Sequence, residues 1–225
     1  MTEGIRKRFV RAFWAAHNSS EVVRKTIGLL RSDLGTGRGL NLGCGDTRID
    51  PRLVNFDLVQ TRSVDVLGDA LALPFADGQF SLVVSQEMVE HVPDPFRAVR
   101  EMARVLCIGG RLYLQAPFII GYHPGPEDYW RFSRAGMRRL LEQAGLECDR
   151  LEPAVGAGTG MYRITVEFCA GIPARIHPAL YLPAKAAASV VFFPLVWLNG
   201  FLGRGKQSDR IPGGYFAIGV KKANP

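Results

Sequence analysis

The chain has 225 residues, 47% of them hydrophobic and 22% charged, enough to bury a core and too apolar to stay disordered. Its net charge of +7 suits an anionic partner or surface, but the Lys and Arg residues are spread over the whole chain and no nucleic-acid motif accompanies them, so no nucleic acid is expected. Cys44, Cys107, Cys148 and Cys169 lie far apart without the spacing of disulfides or metal ligands, which predicts reduced thiols and no metal.

In chain order, Phe9, Phe13 and Trp14, then Val22, Val23, Ile27 and Leu30, recur at helical spacing and predict a helical segment over residues 1–34. Arg6, Lys7, Arg8 and Arg11 make its first turns basic, a face suited to solvent or to lipid. The basic start lacks the apolar core and cleavage site of a secretory signal, so a cytoplasmic location is expected. Ser19 and Ser20 stand where a helix from Glu21 would be capped.

Residues Gly39 to Asp46 read as a short strand that ends in Gly43-Cys44-Gly45. Glycines there permit a sharp turn and leave room for a ligand against the main chain. A second strand, Pro51 to Asp57, ends in an acid, as in nucleoside-binding doubly wound folds where that carboxylate meets ribose hydroxyls. Only a short crossover, or none, fits between them. Val64 to Ala70 gives a third strand, and Ser81 to Ser85 a fully apolar fourth one of the kind buried in a parallel sheet. Pro95 to Leu106 predicts a helix capped by Gly109-Gly110, and Arg111 to Ala116 a fifth strand. The alternation implies an α/β sheet with crossovers and a ligand at the carboxyl ends of the strands.

With Leu73-Pro74-Phe75, Glu90-His91-Val92 and Arg104-Val105-Leu106-Cys107-Ile108-Gly109-Gly110 in that order, the chain resembles the class I S-adenosylmethionine-dependent methyltransferases, specifically their small single-domain group. The resemblance runs from about residue 40 to residue 146. It implies a Rossmann-like, seven-stranded, mostly parallel sheet with an antiparallel last strand, helices on both faces and S-adenosyl-L-methionine as cofactor. It further implies that Asn41, Gly43, Cys44 and Gly45 face the methionine portion of the cofactor. Asp57 with Leu58 would meet the ribose, Asp69 and Ala70 the adenine edge, and Ser85 and Gln86 the methionine end and the substrate. Three positions depart from the family pattern: Asn41 replaces an acid, Thr47 a glycine, and Ser81 an Asp.

Gly121 to Ser133 follows the fifth strand and precedes a helix predicted from Arg134 to Ala144. In this loop Tyr122, Asp128, Tyr129, Trp130 and Arg131 are candidates for holding the acceptor, with Arg131 suited to an anion. Equally, Asp128 and Arg131 would pair, Trp130 and Phe132 would pack the lid, and Ser133 would cap the helix. His123, and His91 in competition with it, are candidates for taking a proton; Glu90 is read as an anchor of its loop. Gly156 to Gly160 reads as a flexible loop near the substrate.

From Ala179 to Gly203 the chain is strongly apolar, near the lower length limit of a membrane span. Pro194, Asn199 and Gly200 interrupt it, and residues 211–222, containing the expected last strand, would end on the wrong side of a bilayer. An apolar helical insertion remains: a lid, a dimer face or a monotopic patch on the inner membrane face. The expected organisation is a single domain with a cofactor-binding core over 38–150 and a substrate side over 151–225. The expected activity is methyl transfer from S-adenosylmethionine to an oxygen or nitrogen of a small or lipid-linked acceptor. The alternatives are a non-catalytic cofactor-binding or scaffold domain and, third, a nicotinamide oxidoreductase.

Overall fold

The computed structural model describes residues 20–35, 37–202 and 209–223. The basic N-terminal turns with Phe9, Phe13 and Trp14, and Ser19, lie outside them. The first described helix, α1 (Glu21–Asp33), buries Val23, Thr26, Ile27 and Leu30, one stripe at helical spacing.

Seven strands form one sheet in the order β3-β2-β1-β4-β5-β7-β6: β1 (Gly39–Leu42), β2 (Leu53–Asp57), β3 (Val66–Leu67), β4 (Phe80–Gln86), β5 (Leu106–Pro117), β6 (Leu146–Val155) and β7 (Gly214–Lys221). Neighbours from β3 to β5 are parallel, and the last strands run antiparallel. No helix lies between β1 and β2, as the 12-residue step from Gly45 to Asp57 requires. Helices α2 (Pro95–Val105) and α3 (Arg134–Gln143) follow β4 and β5. Their starts are fixed by sequence: Asp94 accepts from the Arg97 amide, with Pro95 in the first turn, and Ser133 accepts from the Gly136 amide.

Gly109 and Gly110 do not cap α2, contrary to the sequence reading. The chain passes straight from Val105 into β5, Leu106 already being extended, and both glycines sit inside that strand. Gly109 takes a positive φ of 79° beside a register irregularity against β4, so the pair makes an irregularity in the ladder rather than a helix end.

Two of the sequence landmarks meet in space. Arg104 donates to the carbonyls of Leu73 and Phe75, at 2.9 and 2.8 Å, and pairs with Glu101. Glu101 in turn accepts from the Leu73 amide at 2.8 Å. The Leu-Pro-Phe turn is thus pinned to α2, and Phe75 packs edge-on against Phe56 and Phe80 in the core.

Contacts gather the described chain into two compact units: Glu21–Phe118 with Tyr122–Glu152 and the chain from Tyr215, and Pro153–Gly214 with Ile119–Gly121. The second unit holds α4 (Ala157–Ala174), α5 (Tyr181–Phe192), a 3-10 segment Phe193–Leu198 and the short α6 (Asn199–Leu202). Its small core is Tyr162, Val166 and Ala188, with Phe192, Phe193, Leu195 and Val196 against it. The glycine run 156–160 opens α4 instead of forming a flexible loop. Added Cβ atoms at Gly156 and Gly158 would collide with Asn199 and with the Leu195 carbonyl, so the glycines let the two segments close. Asn199 accepts from the Thr159 amide and donates to its hydroxyl, at 3.0 and 2.7 Å, capping α4 from forty residues away.

Candidate functional site

A cavity of about 300 Å³ opens at the carboxyl ends of β1, β2 and β3. Its floor is the turn after β1. Gly43 and Gly45 adopt φ of 71° and 52°, a region that side chains with a Cβ enter at a cost of about 1–2 kcal/mol. A Cβ at Gly43 would run into the Met88 side chain, whereas Gly45 has nothing within 4 Å. The Gly43 and Cys44 amides both donate to the Phe56 carbonyl, at 2.9 and 3.2 Å.

Asp57 closes this turn. One carboxylate oxygen accepts from the Gly45 amide at 2.8 Å and the other from the Val59 amide at 3.0 Å. Asp69, at the end of the third strand segment, holds the next turn through the Leu71 amide at 2.8 Å. Gly43, Gly45, Asp57, Leu58, Asp69, Ala70 and His91 all line the cavity, so seven of the residues singled out from sequence converge there.

Others lie elsewhere. Asn41 is buried, and its amide donates to the Thr47 carbonyl and to Asn55, both at 3.0 Å. It pins the chain after the glycine turn. Cys44 is buried with its thiol pushed up to about 11, by burial first and then by the charge of Asp57. Ser85 is buried with a hydroxyl that meets no partner among the described residues. Gln86 donates to the Gln115 side chain, at 3.5 Å.

The loop after β5 is held by contacts of its own side chains. Arg131 grips Asp128 through both carboxylate oxygens, at 2.5 and 2.6 Å. That guanidinium, with the His123 amide, holds Asp128 down at about 2. Trp130 donates to the Val92 carbonyl at 3.0 Å and stacks on Phe132, so it ties the loop to the segment after β4. Tyr122 and Tyr129 are 72% and 52% exposed, outside the cavity lining. From the same loop, Gly125 and Pro126, joined by a cis peptide, do line it.

Beside the cavity Glu90, His91 and His123 come together. The two imidazoles meet edge to face with centroids 5.1 Å apart. The backbone carbonyl of Glu90 accepts from the Tyr129 and Trp130 amides, so Glu90 does anchor a loop, though by main chain. Its side chain is fully buried, and burial raises its pKa well above the usual carboxylate range, with His123 opposing and the Glu87 charge adding to the rise.

Sequence reasoning missed Glu87 and Met88, both in the cavity wall. Glu87 takes a φ of 51°, the one non-glycine residue with positive φ among those described. Its amide donates to the Gln115 carbonyl at 3.0 Å and its carboxylate accepts from the Gln115 side chain at 2.9 Å. Backbone strain of this kind, worth about 1–3 kcal/mol, gathers at functional sites, but no residue-type signal announces it.

Residues 33–114 match the family model of a methyltransferase domain. The chain is similar to norajmaline N-methyltransferase of Rauvolfia serpentina, 34% identical over 38% of this chain and 29% of that protein. It is 43% identical to 27-O-demethylrifamycin SV methyltransferase of Amycolatopsis mediterranei, over 42% of this chain and 39% of that protein. The chain therefore matches well under half the length of these relatives. Among solved structures, the [4+2]-cyclase SpnF has the same fold with a TM-score of 0.55 at 18% identity, covering 93% of this chain and 86% of that one. Its name is a reminder that the fold does not fix the reaction. The family match lies on the residues that build the glycine turn, the cavity wall and the Arg104 network, so over residues 33–114 the chain is similar to a methyltransferase domain.

Proposed function

We propose that the protein transfers the methyl group of S-adenosylmethionine to an oxygen or nitrogen of a small-molecule or lipid-linked acceptor. The observation that carries this reading is the convergence of Gly43, Gly45, Asp57, Leu58, Asp69 and Ala70 on one cavity. The fit is chemical as well as spatial. A turn with two glycines admits a ligand against the main chain, the Asp57 carboxylate sits at the end of β2 where ribose hydroxyls are bound in such folds, and among the described residues no Arg or Lys lines the cavity to repel a sulfonium.

When bound, S-adenosylmethionine supplies an electrophilic methyl on a cationic sulfur. The chain's part is then to orient and to exclude water, because a displacement at sulfonium depends chiefly on holding nucleophile, methyl and sulfur in line. The loop carrying Gly125 and Pro126, tied down by Trp130, covers one side. His91 lines the cavity and His123 packs against it, which supports a role for them in handling the acceptor's proton.

The lipid-linked acceptor is supported by the second unit. Residues Pro178–Leu202 form a 25-residue apolar helical stretch, mean hydropathy 1.6, of which the most apolar window is 11% buried. Leu182, Val191, Trp197 and Phe201 are 66–78% exposed. Such a face on a basic protein suits peripheral contact with an acidic membrane, and we place the protein in the cytoplasm, at the inner membrane face.

The test is calorimetric titration with S-adenosylmethionine, S-adenosylhomocysteine and NADH. Micromolar binding of the first two, near −8 kcal/mol, without the third is expected. No binding of the first two overturns the reading. Binding that is accompanied by no methyl transfer to any oxygen or nitrogen acceptor leaves the scaffold alternative.

A further inference from the structure

The Glu90 side chain is 0% exposed, and neither carboxylate oxygen meets a hydrogen-bond donor among the described residues. A buried carboxylate without a partner is costly unless a cation or a proton compensates it. What faces it is two imidazole nitrogens: Nε2 of His91 at 3.6 Å and Nε2 of His123 at 3.8 Å, both from Oε1. These separations are too long for hydrogen bonds. They are close to the spacing of two ligands on one ion, since metal bonds of about 2.0–2.2 Å put tetrahedral ligand atoms about 3.4 Å apart. One ligand atom from each of the three residues lies within 4.8 Å of the others.

The far side of each imidazole is already engaged. His91 Nδ1 lies 2.5 Å from the Glu127 carbonyl, a contact only an N–H can make, which leaves Nε2 of the neutral ring as the lone-pair nitrogen. His123 Nδ1 rests on the Asp128–Arg131 pair, 3.5 Å from Asp128 Oδ2 and 3.3 Å from Arg131 Nη2. The tautomer whose N–H faces Asp128 presents its Nε2 lone pair toward Glu90. A carbonyl and a carboxylate behind ligating histidines are the usual outer supports of a metal site.

We infer that Glu90, His91 and His123 bind one divalent first-row transition-metal ion beside the cavity. Two nitrogens and one carboxylate select zinc, manganese, iron or cobalt over magnesium and calcium, which prefer oxygen. Three protein ligands leave a further position for water or an acceptor oxygen or nitrogen, and His91 puts that position next to the cavity wall. In this role the imidazoles act on the acceptor's proton through the ion, by raising the acidity of a coordinated group, rather than as free bases. The inference goes beyond the methyl-transfer reading, and metal binding is measured without turnover.

The experiment strips the full-length protein with a chelator and titrates it with Zn²⁺ by calorimetry and with Co²⁺ by visible absorption. One equivalent of each should bind to wild type, and Glu90→Gln and His123→Ala should each weaken binding by about 100-fold or more, at or beyond the upper end of what outer supports contribute. Zn²⁺ should also raise the melting temperature of wild type and not that of His123→Ala, a partly exposed position. No binding to wild type, or binding that survives in both folded variants, overturns the site. S-adenosylmethionine titrated into the same stripped protein reports separately on the cofactor reading.

Discussion

Asp57 accepts the amide of Gly45 at 2.8 Å across twelve residues, so the acid that ends β2 also closes the glycine turn that ends β1. One side chain thereby shapes the floor of the cavity and presents its charge to whatever lies there. Asp57→Ala should weaken S-adenosylmethionine binding by about 1–3 kcal/mol, and Asp57→Asn, which keeps an acceptor, by less. Calorimetry on both variants checks this; unchanged affinity in Asp57→Ala would remove the ribose assignment.

The two turn glycines are not equivalent. Gly43→Ala meets both a φ of 71° and the Met88 side chain, whereas Gly45→Ala meets only a φ of 52° in open space. Each should cost roughly 1–2 kcal/mol of stability for the left-handed conformation. Only Gly43→Ala should add a loss of cofactor affinity of about tenfold, or ~1.4 kcal/mol, because Met88 shares the cavity wall. Equal affinities in the two variants, measured beside their thermal melts, would show that Met88 can move away.

Acid should loosen the loop after β5. Arg131 holds the buried Asp128 carboxyl at about 2, below the ordinary aspartate value. The unfolded chain therefore takes up the proton first, and folding gains about 2 kcal/mol that is fully present above roughly pH 5 and lost as the pH falls toward 2. Urea unfolding of wild type and Asp128→Asn should show that gap at pH 7 and about half of it at pH 3. A gap independent of pH would mean the ion pair contributes nothing.

Exposed Trp197 and Phe201, at 74% and 78%, are the residues to change for membrane contact. The Trp197→Ser, Phe201→Ser double variant should fold like wild type, since surface substitutions usually stay within about 0.5 kcal/mol each. Wild type should float with vesicles containing phosphatidylserine, and the double variant should stay at the bottom of the gradient. Co-flotation of both would end the monotopic reading.

Much of the core was legible from residues alone. Strand periodicity, the Gly-x-Gly turn, the acid at the end of β2 and the cap at Ser133 are local signals, set by backbone sterics and hydrogen bonds within a few residues. The ordered landmarks carried the resemblance, and two of them touch: Arg104 reaches the Leu73 and Phe75 carbonyls. The glycine pair 109–110 and the run 156–160 misled, since a glycine's meaning depends on what packs against it: a strand irregularity in one case, the Leu195 backbone and Asn199 in the other.

The sequence by itself determined the α/β alternation, the place of the cavity and the acids beside it. Only the tertiary structure decided that Asn41 turns away from the cavity, that Arg131 is engaged by Asp128, and that Glu90 and His91 are joined by His123 from 32 positions later. Those outcomes depend on where the loop after β5 comes to rest. The Trp130–Val92 hydrogen bond and the two amides on the Glu90 carbonyl set that position, and long-range contacts of this kind leave no periodicity in the chain to read.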